Sequence, residues 1–202
     1  MAGGLKPNSG GVPAATLAIV AGILLVAALL VPGQLAAVPD DASGLYALLA
    51  PWLLPDWLGE TAALPLWPFV HASPAHALLA AVGTAVAGWM HERRFGPARS
   101  LLVFLLGSAV ALGAHALVAD AQPIGASGGA LALFGALLMD LARRRASASL
   151  FGPLVAPILL HGAIDGLVPG DYSLVHGAGL VVGALLVLLF PSRGPVLERS
   201  EG

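Results

Sequence analysis

The chain has 202 residues, 58% of them hydrophobic and only 10% charged, with a mean hydropathy of +0.90 and a formal net charge of −2. That balance is too apolar for an ordinary soluble domain and too poor in basic residues to track a nucleic-acid backbone, so the chain reads as an integral membrane protein with no nucleic-acid partner. It contains no cysteine, which excludes disulfides, a thiol nucleophile and cysteine-ligated zinc.

A helix crosses a bilayer in roughly 17–25 apolar residues. Six stretches meet that requirement, at 12–31, 68–90, 100–119, 124–141, 151–168 and 173–190, so an all-α polytopic bundle of six transmembrane helices is predicted. The first stretch is read as a span and not a cleaved signal, because only Lys6 precedes it and Val31-Pro32-Gly33-Gln34 is a poor small-residue cleavage site. Residues 1–11 form a short N-terminal segment, 12–190 the membrane domain and 191–202 a C-terminal tail. The one long connection, about 32–67, mixes Trp52, Trp57 and Trp67 with Pro39, Pro51, Pro55 and Pro65, which suits a segment lying in the headgroup layer. Its apolar run at 48–54 is too short to span.

Lys and Arg of short loops stay on the cytoplasmic side. With the N-terminus inside, Lys6, Arg93, Arg94, Arg99, Arg143, Arg144, Arg145, Arg193 and Arg199 all fall on that side. Asp40, Asp41, Asp56, Glu60, Asp120 and Asp171 fall on the other. Six spans with both termini inside account for every basic residue, and losing one helix would break the pattern. No internal repeat of the transporter type is seen.

In this topology Ser127, in Gly125-Ala126-Ser127-Gly128-Gly129, lies about one turn inside the outer end of span four. His176, in Val175-His176-Gly177-Ala178-Gly179, lies about one turn inside the outer end of span six. At 1.5 Å rise per residue they share a depth of roughly 5–10 Å. Polar groups are expensive in hydrocarbon and mark functional sites. A serine hydroxyl needs a neighbouring base to act as nucleophile, a task that imidazole suits near neutral pH. Gly125, Gly128, Gly129 and Gly135 on span four, with Gly179 and Gly183 on span six, form small-residue faces that let the two backbones approach. The same residues are ordinary helix-packing vocabulary, and a buried histidine often only bridges two helices.

Competing chemistries fail their own requirements. A zinc protease needs two histidines at i and i+4 with a glutamate between, and His91-Glu92-Arg93-Arg94-Phe95 lacks the second. An aspartyl protease needs two facing carboxylates, whereas Asp140 and Asp165 fall near opposite membrane faces. No cofactor or metal is expected.

Gly-Ala-Ser127-Gly with Gly135 beyond it, and His176-Gly-Ala-Gly179 with Gly183 beyond it, resemble the GxSG and HxxG signatures of the rhomboid family of intramembrane serine proteases. Upstream, Trp67-Pro-Phe-Val-His71-Ala-Ser-Pro-Ala-His76 resembles the family's lead-in to its second helix, and His91-Glu92-Arg93-Arg94-Phe95-Gly96 the segment that leaves it. The resemblance runs from about Trp67 to Phe190 in order and spacing. It implies a Ser–His dyad in a water-filled cavity open to the outer face, with Ser127 as nucleophile and His176 as general base. It also implies an oxyanion site supported by His76, Gly125 and Gly128, with a supporting role for His71. Implied partners are transmembrane protein substrates and the lipid bilayer, and the bare six-span form points to a bacterial inner membrane. The compact form is also similar to rhombosortases.

Two positions depart from the family pattern. Ala80, four residues after His76, stands where the family usually has Asn, and Leu131 where an aromatic ring often packs beside the histidine. Losing one oxyanion donor typically costs about 10²- to 10³-fold in rate. A non-catalytic relative that binds client helices is therefore the alternative class. His115 and His161 read as helix-bridging residues and His91 as a cytoplasmic-surface residue. Asp165 reads as a helix-end carboxylate, with a third-member role toward His176 as the competing reading.

Overall fold

The computed structural model describes residues 12–35, 67–71, 74–117, 125–143, 155–158 and 173–189. Among these residues there are five long helices, a helical turn at 155–158 and no strand. They are α1 (Ala14–Leu35), α2 (Pro74–Phe95), α3 (Pro97–Ala116), α4 (Ser127–Arg143) and α5 (Ser173–Leu189). The tails, nearly all of the 32–67 connection and most of the fifth predicted span lie outside the described residues, with His161 and Asp165 among them.

Local chemistry moved several boundaries from their predicted places. α1 continues through Pro32 to Leu35, beyond the apolar window that ends at 31. α2 begins at Pro74 and not at 68: residues 67–69 form a 3₁₀ turn, and Pro74 occupies the first helical position, where its missing N–H is no loss. The helix then runs to Phe95 and ends on Gly96, whose φ of +87° suits the left-handed residue after a helix. The Gly96 N–H donates to the Glu92 carbonyl at 2.8 Å, and Pro97 starts α3 at once. Apolar counting alone misses such caps.

α4 is the central helix. From Ala126 to Leu137 every residue is buried, and it packs on α2, α3 and α5. The outward faces of its neighbours are themselves apolar: Leu24, Leu25 and Leu29 on α1, Leu101, Leu105 and Val110 on α3, and Val181, Leu185 and Leu188 on α5 are exposed. A bundle apolar outside as well as inside suits lipid as its solvent. Within the described residues, the stretch Pro97–Ala114 is by itself long and apolar enough to cross a membrane, and Ala14–Leu29 and Leu174–Leu189 are shorter apolar helices.

The last turn of α2 holds three other helices. The Glu92 carboxylate accepts the Ala15 N–H (3.1 Å), the Thr16 N–H (2.8 Å) and the Thr16 hydroxyl (2.8 Å), capping the start of α1. His91 donates from Nδ1 to the Ser100 hydroxyl of α3 at 2.7 Å, since that hydroxyl gives its own proton to the Gly96 carbonyl at 2.9 Å. Arg94 pairs with Asp140 of α4. His91, expected at the cytoplasmic surface, is therefore in the core at 1% exposure, because the tight Gly96-Pro97 turn folds α3 back over it.

Candidate active site

The site is assembled where α4 begins. Gly125 has a φ of +113°, and a Cβ there would stand 3.1 Å from Cε1 of His76, so both backbone and space require glycine. Its N–H donates to the Trp67 carbonyl at 3.2 Å. The next amide, of Ala126, donates to Nε2 of His71 at 3.2 Å, and His71 Nδ1 meets the Phe69 carbonyl at 3.1 Å. A ring that accepts at Nε2 carries its proton on Nδ1, so His71 is neutral and donates to Phe69. Burial lowers its pKa to about 4, and the charge of His76 adds to the effect. The His71 and His76 rings meet edge to face with centroids 4.9 Å apart.

This scaffold delivers Ser127 as the first residue of α4, 7% exposed, where helix N–H groups lack a carbonyl one turn back. Its Oγ lies 2.7 Å from Nε2 of His176 on α5. With the imidazole neutral and its proton on Nδ1, the hydroxyl donates and Nε2 accepts, the arrangement proton abstraction requires.

Glycines set that distance. A Cβ at Gly179 would lie 2.3 Å from the Gly128 carbonyl oxygen, one at Gly183 1.8 Å from that of Ala132, and one at Gly135 2.0 Å from that of Leu180. α4 and α5 thus run in backbone contact. The faces are divided more finely than the spacing suggested. Gly128 also faces Ala111 of α3, Gly129 faces Ser108 and Phe104, and Gly125 faces the two histidines. Ala80 is buried at 2% exposure one turn beyond His76, and Leu131 is equally buried one turn beyond Ser127. Of His115 only the backbone, within α3, is described.

The Trp67 and Phe69 carbonyls were missed in the sequence, and nothing in their side chains could have announced them. Among the described residues no group of three His, Cys, Asp or Glu side chains stands together as a metal site would need.

These features define a class: a helical bundle apolar inside and out, with a serine and an imidazole in hydrogen-bond contact at one end. A family model of the rhomboid domain matches residues 59–193, well over half of the chain. The chain belongs to the rhomboid family, whose members are integral membrane proteins and in general intramembrane serine proteases. No curated protein matches it.

Proposed function

We propose that the protein is a serine endopeptidase that cuts transmembrane segments of client proteins near the outer face of the membrane. The observation that carries the reading is the 2.7 Å contact of Ser127 Oγ with His176 Nε2, inside a chain of the rhomboid family. In this reading Oγ attacks the scissile carbonyl carbon as its proton passes to Nε2. The resulting oxyanion is met by the Ser127 N–H at the start of α4 and by the His76 ring. His176 then returns the proton to the leaving amine, and a water deprotonated by the same imidazole hydrolyses the acyl-enzyme. Ala80 supplies no hydrogen bond, so the oxyanion site relies on two donors and turnover is correspondingly slow.

The reading includes a bacterial plasma membrane and cytoplasmic termini. Support for the orientation is that Arg94, paired with Asp140, and Arg143, which donates to the Val187 carbonyl, lie at the end of the bundle away from Ser127. Clients would be single-span proteins whose helices unwind easily near the outer face. Such helices expose a backbone carbonyl at lower cost, so a stable poly-leucine span should resist cleavage.

Labelling of the detergent-purified protein with a fluorophosphonate tests the reading. Wild type is expected to label, and Ser127→Ala and His176→Ala each to lose labelling by at least 10²-fold. A folded wild type that fails to label beside an active rhomboid control would move the protein to the class of non-catalytic client binders.

A further inference from the structure

His91, Glu92 and Arg94 lie at the end of α2 opposite His76, and each holds a different helix. Glu92 caps α1, His91 binds Ser100 at the start of α3, and Arg94 pairs with Asp140 in the last turn of α4. The pair is well shielded, with the Arg94 side chain 21% and the Asp140 side chain 7% exposed. α2 and α4 run parallel, so the two helices that bear His76 and Ser127 at one end are clamped to each other at the other.

We infer that Arg94 and Asp140 are positioning residues for the site, fixing the axial register of α2 against α4 and so the place of His76 relative to Ser127. The inference rests on the reading of Ser127 as nucleophile and His76 as oxyanion donor. At 1.5 Å per residue the pair is about 27 Å from His76 along α2 and about 20 Å from Ser127 along α4. A helix is stiff along its axis, so a slide at the clamp reaches the far end undiminished. Productive geometry has a tolerance of about 0.5 Å, and a misplacement of about 1 Å costs on the order of 10²-fold in rate. At the site end the Gly125 and Ala126 amides donate to the 67–71 segment, which precedes α2 in the chain. Shielding keeps the guanidinium–carboxylate pair strong and directional where an exposed pair would be worth little.

The chain has no cysteine, so a distance reporter is simple to install. Leu78 near the start of α2 and Leu174 near the start of α5 are both exposed. Spin labels at L78C and L174C, with fluorophosphonate labelling in parallel, are compared in wild type, Arg94→Gln, Asp140→Asn and the double variant Arg94→Gln/Asp140→Asn. Each single variant, still folded by its melting transition, is expected to broaden the distance distribution. Each should also lower the maximal labelling rate at least fivefold, with the half-saturating probe concentration unchanged. The double variant, which can restore an uncharged hydrogen-bonded pair, should regain a narrow distribution and a rate within about twofold of wild type. Folded single variants with wild-type distances and rates would overturn the inference, as would labelling losses that only track the unfolded fraction. Failure of the wild type to label would instead overturn the protease reading, and the spin-label distances would still decide the register claim.

Discussion

His71 is the residue on which the serine's loop hangs. Its ring accepts the Ala126 amide only while Nε2 is unprotonated, and the fold holds its pKa down to about 4 against an ordinary value of 6.5. The sign follows directly. A folded state that disfavours the protonated ring has this contribution in full above pH 6.5 and loses it as pH falls toward about 4. The thermal midpoint in detergent should therefore drop across that window, and His71→Gln, which still offers an acceptor oxygen but does not titrate, should flatten the drop. An unchanged acid profile in the variant would show that other groups govern it. Ser127, His176, His76 and His71 could all be singled out in the sequence, because polar residues in an apolar stretch are conspicuous. What each one touches could not. His71 acts through two backbone groups, the Ala126 amide and the Phe69 carbonyl, and carbonyls and amides are the same at every position.

Among the elements, the α4–α5 pair has the least room for error. A methyl group at Gly183 would arrive 1.8 Å from the Ala132 carbonyl oxygen, whereas one at Gly177 meets nothing within 4 Å. Overpacking of this kind typically costs about 1–3 kcal/mol, and the helices must part to relieve it. Gly183→Ala is thus expected to lower fluorophosphonate labelling by roughly 10²-fold, with Gly177→Ala near wild type. Equal labelling of the two would mean that helix separation does not set the site. This pairing was legible as glycine spacing on two apolar stretches. The ends of α2 were not, since they depend on Pro74 and the Gly96-Pro97 cap and not on hydropathy. Nor was the burial of His91, which follows from a turn that brings Ser100 back over it.

On the scale of the whole molecule, two of the basic residues placed on the cytoplasmic side in the sequence, Arg94 and Arg143, cluster at one end of the described helices through contacts to Asp140 and the Val187 carbonyl. Ala98, at the start of α3, and Leu117, just beyond its other end at 87% exposure, mark the two ends of one helix. Single cysteines there test the proposed orientation in intact cells. A membrane-impermeant maleimide should label L117C from outside and A98C only after permeabilisation, and the reverse pattern would invert the topology. The six-span count comes from the apolar windows and the orientation from the basic residues, and a long-range pair such as Arg94 with Asp140, 46 residues apart, leaves no trace in either. Separation along the chain has a further effect. Ser127 and His176 are 49 residues apart, and the imidazole arrives on the last of the long helices. On the proposed reading, a ribosome that has not yet made α5 has produced a nucleophile without its base, so the nascent chain would be inert during its own insertion. In that reading activity would begin only once α5 is in place beside α4.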